Sequence, residues 1–185
     1  MIKINEKDWI TNIDEMTIGQ FEQVMTIINK EEHRFIVDKY IKIFKVLGAD
    51  ESDIQALSDD QFFQIIGAYD LNGSKIEQLP RTIEVDGYQY AAYEEGKEVH
   101  LGLSGLAKIE KAMAERDFYS YLLAILFKRE DQTSEEHWRD YNLSARRKRF
   151  KALPAHTYFS WVQWMAEKIK TNIEFINDKS TEATK

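Results

Sequence analysis

Apolar residues recur at helical spacing through most of the first seventy residues. This periodicity predicts three helices in an N-terminal lobe over residues 1–71. Two of them open on a capping box, formed by Thr17 with Gln20 and by Ser58 with Gln61, and Gly48 is expected to end the helix between them. The predicted inward positions are Ile18, Phe21, Met25, Ile28, Phe35, Ile36, Tyr40, Ile43, Phe44, Leu47, Phe62, Phe63, Ile65 and Ile66.

The periodicity changes after residue 71, and residues 72–103 are predicted to form a β insert. Thr82–Val85 and Tyr88–Tyr90 are rich in β-forming residues and flank Asp86-Gly87. An Asp-Gly pair between two such runs is a strong hairpin signal, because a type I′ turn needs positive φ at both central residues. A third strand is predicted near Glu98–Leu101. We therefore expect a two- or three-stranded antiparallel element near residues 75–101.

Helical periodicity returns in a C-terminal lobe predicted over residues 104–176, which is expected to share the core of the first lobe. The segment Phe118–Phe127 is apolar almost all round, which predicts a helix at the centre of the core. After a polar connection, a basic helix is predicted around Leu143–Leu153, and Pro154 stands where a last helix would begin. Residues 177–185 are expected to fray. The whole pattern predicts a predominantly helical α+β fold.

Composition narrows the class of protein. The chain has 185 residues, of which 43% are hydrophobic, and this suits one domain or two small lobes with a common core. It contains no cysteine, so a disulfide framework and a thiolate metal site are excluded. The first residues are charged, and no apolar run approaches the ~18 residues that span a bilayer. We expect a cytosolic protein that does not enter a membrane.

The net charge of −7 is unevenly distributed. Residues 1–71 contain 14 acidic and 7 basic residues, whereas residues 129–185 contain 9 acidic and 11 basic residues. An acidic first lobe disfavours broad affinity for nucleic acid but permits one local basic patch. It also permits electrostatic pairing between copies of the chain.

No motif for catalysis or cofactor binding is present. The chain lacks a phosphate-binding loop, and Gly102 and Gly105 do not complete a dinucleotide fingerprint. A calcium-loop-like start at Asp70 has Lys75 where glycine is required. The four histidines lack the spacing of metal ligands. We therefore predict that the protein is not an enzyme and has no catalytic residue, no cofactor and no metal site.

A basic patch is the first feature that stands out, with five positive charges in six residues. On a helix these side chains would surround most of the circumference as a charged sleeve. The sleeve could be solvated and pair with the acidic first lobe, contact an acidic partner subunit, or contact phosphate groups of DNA. The residues are Arg146, Arg147, Lys148, Arg149 and Lys151.

The predicted last helix is the second such feature, because its aromatic residues are too widely spread for one narrow face. Tyr158, Phe159, Trp161 and Trp164 lie within seven residues. An apolar arc of this width is covered on two sides, either by the protein's own core or by a partner. Phe159, Trp161 and Trp164 are therefore candidate interface residues.

The order of these segments resembles small virion and assembly proteins of tailed bacteriophages, particularly ring or neck connector proteins of crAss-like phages. The resemblance covers residues 76–170 and lies in the general pattern. It comprises the hairpin Ile83–Tyr90, the segment Leu101–Glu110, the apolar helix Leu122–Phe127, the arginines before Leu153-Pro154, and the aromatic helix Phe159–Met165.

The resemblance implies a structural virion protein that joins head and tail through protein–protein contacts. Its partners would be portal, tail or other ring subunits, in a homo-oligomeric ring within the virion, after assembly in the host cytoplasm. The hairpin tip at Asp86, Gly87 and Tyr88 and the loop Tyr93–Lys97 would then be elements that reach a neighbour. Two alternatives remain, a tail assembly chaperone absent from the particle and a small nucleic-acid-binding regulator that uses the basic helix.

Overall fold

A computed structural model describes residues 1–29, 35–71, 81–92, 108, 118–159 and 161. Within these ranges the fold is α+β and predominantly helical, as predicted. The helices are α1 (Ile18–Ile28), α2 (Ile36–Val46), α3 (Glu51–Gln55), α4 (Asp59–Gly67), α5 (Phe118–Leu126), α6 (Ser134–His137) and α7 (Asp140–Phe150). The strands are β1 (Ile2–Ile4), β2 (Lys7–Trp9), β3 (Thr82–Val85), β4 (Tyr88–Ala92) and β5 (Phe127–Arg129).

The chain begins with a β-hairpin that the helical periodicity did not predict. Strands β1 and β2 pair antiparallel, with Ile2 opposite Trp9. Asn5 and Glu6 form the turn with φ of 52° and 62°, which is the left-handed region that asparagine tolerates better than most residues. The alternation of apolar residues before this turn is only three residues long, too short for a period-2 signal.

The two predicted capping boxes of the first lobe are confirmed. The Thr17 and Ser58 side chains accept hydrogen bonds from the backbone of Gln20 and Gln61 at the starts of α1 and α4. Gly48 follows α2 with a φ of 94°, as a helix-ending glycine should.

Three inward positions of the first lobe were predicted wrongly. Phe35, Ile36 and Phe63 are exposed, whereas Ile43, Phe44 and Ile65 are buried. Helix α2 begins at Ile36 and Phe35 is its N-cap, so both residues lie at the exposed end of the helix, ahead of the turns that reach the core.

The predicted hairpin is confirmed, and among the described residues its sheet gains a further strand from a part of the chain where none was predicted. Strands β3 and β4 pair antiparallel, and β5 pairs with β4 on its other side. Helix α5 ends at Leu126 and β5 starts at Phe127 without a loop. The predicted central helix Phe118–Phe127 is therefore correct up to its last residue.

The described residues of the C-terminal part include a helix that was not predicted. Residues 129–136 were interpreted as a polar connection, but Thr133 caps the short helix α6. The basic helix is present as α7, and residues 155–159 are helical directly after Pro154, as expected.

The two lobes meet where α1 begins and α7 ends. The backbone N–H groups of Ile18 and Gly19 donate to the carbonyl oxygens of Leu153 and Lys151 at 2.8 and 2.9 Å. The first donors of one helix and acceptors near the end of another have no partners within their own helices, so each set satisfies the other. Ala155 completes the junction by packing in the same buried cluster as Phe21 and Val24.

Several predictions lie outside the described residues. They are the third strand near residues 98–101, the loop 93–97, the interface candidate Trp164, and the tail 177–185. Among the residues that are described, no helix is long and apolar enough to cross a membrane.

Candidate functional site: the hairpin surface

The tip of the β3–β4 hairpin lies against the C-terminal half of α7. The hairpin tip and the basic patch, which are distant in the sequence, are therefore neighbours in the structure. We call the group formed by Asp86, Tyr88, Arg129 and Arg149 the hairpin surface. Asp86 and Gly87 have φ of 53° and 71°, so the turn has the predicted positive φ at both positions.

Tyr88 is the centre of the hairpin surface. Its side chain is 38% exposed, and the guanidinium carbons of Arg149 and Arg129 lie 4.5 and 4.9 Å from its ring centroid. A guanidinium at this distance is attracted by the electron density of the ring face. The two arginines therefore hold an exposed aromatic ring in a fixed position, which lowers the entropy cost of using it in a contact.

Acidic side chains and a tyrosine hydroxyl orient the two arginines. Arg149 Nη1 donates to the Tyr90 hydroxyl at 3.3 Å, and Arg149 Nε lies 3.8 Å from Asp86 Oδ2. Arg129 forms a charge-assisted hydrogen bond with Asp131, which raises the pKa of the Arg129 guanidinium. The hairpin surface is thus a rigid, partly neutralised cluster with one exposed ring.

Strand β5 brings Arg129 into this group, and it depends on how α5 ends. Arg146 Nε donates to the Ala124 carbonyl at 3.1 Å, and His137 Nε2 lies 3.0 Å from the Ile125 carbonyl. Because a carbonyl only accepts, Nε2 carries the ring proton. These carbonyls belong to the last turn of α5, where the strand that follows supplies no helical donors.

Arg146 also connects the end of α5 to Gln132 and to helix α6. Its guanidinium donates to the Gln132 side-chain oxygen at 2.9 Å and to the His137 carbonyl at 2.7 Å. Burial lowers the pKa of Arg146 to about 10. Burial, together with the charge of Arg146, lowers the pKa of His137 to about 3. His137 is therefore neutral near pH 7, while Arg146 is charged.

The predicted basic sleeve is not continuous. Arg146 is only 2% exposed and belongs to the core. The Arg147 guanidinium carbon lies 5.3 Å from the Tyr121 ring centroid, and Lys151 Nζ lies 3.8 Å from the buried Glu22 carboxylate beside a cavity of about 280 Å³. Arg149 belongs to the hairpin surface, and Lys148 is the only one of the five in the exposed class. The prediction of a continuous sleeve was wrong, because four of its five side chains contact different parts of the protein.

The aromatic C-terminal segment turns inward in its described part. Trp161 is buried, and its ring centroid lies 4.8 Å from that of Phe127. Phe159 is partly buried and makes an edge contact with Phe21 at 5.1 Å. Trp161 is thereby removed as an interface candidate, because its surface is used by the protein's own core.

Sequence reasoning missed Arg129, Tyr90 and His137. Arg129 follows a long apolar run, so it resembled the first residue of a loop. His137 was considered as a possible metal ligand and set aside, yet it is fully buried. The alternation of Tyr88 with Tyr90 was the available signal that both rings lie on one face of the sheet.

No family model, no characterised protein and no solved structure is significantly similar to the chain. Within the described ranges, no group of three or more His, Asp or Glu side chains is placed to hold a metal ion.

Proposed function

We propose that the chain is a structural protein of a tailed bacteriophage, a ring or neck subunit that connects head to tail through protein–protein contacts. The hairpin surface carries the proposal, because it presents a pre-positioned aromatic ring between two arginines. Tyrosine and arginine are the residue types that dominate the binding energy of protein interfaces. The resemblance to connector proteins, on segments between residues 76 and 170, supplies the class of partner.

The dispersal of the basic residues favours this role over a nucleic-acid-binding regulator. A protein that tracks a phosphate backbone presents its cations along one surface. Here Arg146 is buried, Lys151 lies beside Glu22, and Arg149 lies over the ring of Tyr88. The tail assembly chaperone remains the competing function.

The proposal is tested on purified particles of a phage whose genome encodes the chain. We expect the protein in stoichiometric amount by mass spectrometry, and density for it between portal and tail by electron microscopy. If particles lack it while it binds a tail protein in infected cells, the chaperone function replaces the connector.

Variants at the hairpin surface test the site itself. Tyr88→Ala is expected to lower incorporation into particles by roughly tenfold or more, as loss of an interface hot spot does, whereas Tyr88→Phe keeps the ring and should retain incorporation. Gln89→Ala is the matched control, because Gln89 is exposed on the opposite face of the same strand. Equal incorporation of Tyr88→Ala and Gln89→Ala would remove the hairpin surface as the contact.

A further inference from the structure

Helix α4 has an exposed face that is acidic and carries an aromatic ring. Asp60, Phe63, Gln64 and Gly67 are exposed and lie within one arc of the helix, and Phe63 is 57% exposed. Residues 46–71 contain six acidic and no basic residues. Within the described part of the chain, Asp60 has no ion pair.

Helix α7 has an exposed face with the opposite features. Tyr141, Ser144, Ala145 and Lys148 lie within one arc of this helix and are all exposed, and Tyr141 is 64% exposed. Ser144 and Ala145 are small, so a recess lies between the tyrosine ring and the lysine. Lys148 has no ion pair with any residue that the structure describes.

The two faces match in length and order when the helices run antiparallel. Each spans eight residues, and the seven rises between its ends cover about 10.5 Å along a helix. With Asp60 opposite Lys148, Phe63 falls opposite the small residue Ala145. In the same register Gln64 falls opposite Ser144 and Gly67 opposite Tyr141, so each large side chain meets a small residue and the acid meets the base.

We infer that α4 of one copy of the chain docks antiparallel on α7 of a second copy. Both faces are exposed in the part of the chain that the structure describes, and the acidic residue on one face and the basic residue on the other favour a second copy as the occupant of each. The contact joins two different surfaces, and such head-to-tail contacts close into rings when the rotation between copies permits. The inference rests on the proposed ring function and specifies which helices make the copy-to-copy contact.

The contact is expected to be weak for isolated chains. One pair of short helices buries less than the roughly 1,200 Å² of a standard stable interface, so the ring would depend on many copies and on partners. Cross-linking is therefore a more sensitive readout than an association constant. The chain has no cysteine, so introduced cysteines report on a single pair of positions.

The experiment uses the full chain carrying both Gln64→Cys and Ser144→Cys under mild oxidation. Helices packed 8–10 Å apart leave roughly 4–5 Å between facing Cα atoms, which is near the range that a disulfide bridges. We expect a ladder of covalent dimers, trimers and higher multimers. Each single variant can pair only with itself and should stop at the dimer. If the double variant forms only the species that the single variants form, the inference is overturned.

Charge reversal tests the orientation in the same double-cysteine background. Asp60→Lys or Lys148→Glu alone should slow cross-linking by roughly tenfold at low salt, and the two together should restore it because the pair is exchanged. The effect should fade near 1 M salt. Asp38→Lys and Lys42→Glu are matched controls on α2 and should not slow the reaction. Failure of the combined variant to recover, with an unchanged melting temperature, would exclude the antiparallel register.

Failure of this inference is distinguishable from failure of the proposed function. Particles that contain the chain but do not cross-link through these positions would retain the connector role and reject the α4–α7 contact. Multimers of the purified chain, together with its absence from particles, would retain the contact and reject the connector role.

Discussion

Two buried polar residues hold the backbone where α5 becomes β5. His137 and Arg146 each engage a carbonyl of the last turn of α5, and an unsatisfied buried carbonyl costs about 1–3 kcal/mol. Arg129, three residues past the end of α5, reaches the Tyr88 ring only because the strand starts there. The exposed site thus depends on hydrogen bonds made in the core.

His137 should make the folding free energy depend on pH. Its folded pKa of about 3 lies below the ~6.5 of an unfolded histidine, so between these values the unfolded chain binds the additional proton. Stability is therefore full above pH 6.5 and falls as the pH drops toward 3. From pH 7 to pH 5 the loss assigned to this one group is about 2 kcal/mol.

The measurement is urea unfolding of the wild type and of His137→Gln at pH 7, 6 and 5. Glutamine keeps an N–H that can reach the Ile125 carbonyl but does not titrate, so the variant should lose about 2 kcal/mol less over this range. Parallel pH profiles for the wild type and His137→Gln would contradict the assignment.

The hydrogen bonds of Arg146 and His137 to the end of α5 could not be predicted from the sequence. Arg146 contacts a carbonyl 22 residues away and His137 one that is 12 residues away, and no local pattern encodes such pairs. A run of arginines and lysines looks the same whether one member is buried or none is. What the sequence did indicate was the exposed turn, because Asp86-Gly87 has a local conformational requirement.

At the scale of elements, short-range chemistry was predictable and long-range pairing was not. Capping boxes at Thr17 and Ser58 and the glycine after α2 depend on residues within a few positions, and all three are confirmed. Strand β5 has only three residues, and its partner β4 lies far from it in the sequence. No local periodicity therefore predicts this strand. The exposed Phe63 shows the same limit, because helical spacing alone does not distinguish a face that packs on the core from one that stays exposed.

The α1–α7 junction can be tested with two glycine substitutions. A Cβ at Gly19 would lie 3.2 Å from both the Cβ and the carbonyl oxygen of Lys151, whereas one at Gly67 meets nothing within 4 Å. The Lys151 carbonyl is fixed by the hydrogen bond from the Gly19 N–H, so it cannot yield without losing that bond.

We expect Gly67→Ala to raise the free energy of unfolding by roughly 0.5–1 kcal/mol through helix propensity. Gly19→Ala should instead lower it by about 1 kcal/mol, since crowding at the junction outweighs the same gain. Chemical denaturation of both variants at pH 7 measures the difference. Stabilisation of similar size at both positions would show that α1 and α7 are not held as closely as the structure indicates.

At the scale of the whole molecule, the described lobes share buried residues across their boundary. Ile18 of α1 packs in the cluster that contains Leu123 and Phe150, and Ala155 packs with Phe21 in the cluster of the first lobe. Each lobe is therefore expected to lose part of its core when the other unfolds. Such exchange of core residues predicts a single cooperative unfolding unit.

Arg146→Met separates cooperative from independent lobes, because the three hydrogen bonds described for Arg146 all go to the C-terminal lobe. Removing its hydrogen bonds leaves buried carbonyls unsatisfied and should lower the free energy of unfolding by about 3 kcal/mol. In a cooperative molecule, hydrogen exchange of the slowest amides in α1 and α4 should accelerate by the same factor as in α5. Lys148→Met removes a charge from the exposed face of the same helix and should leave both rates unchanged, at dilutions where copies do not associate. Acceleration confined to α5 and α7 would instead mean that the lobes unfold separately, and that the α1–α7 junction is a hinge between two units.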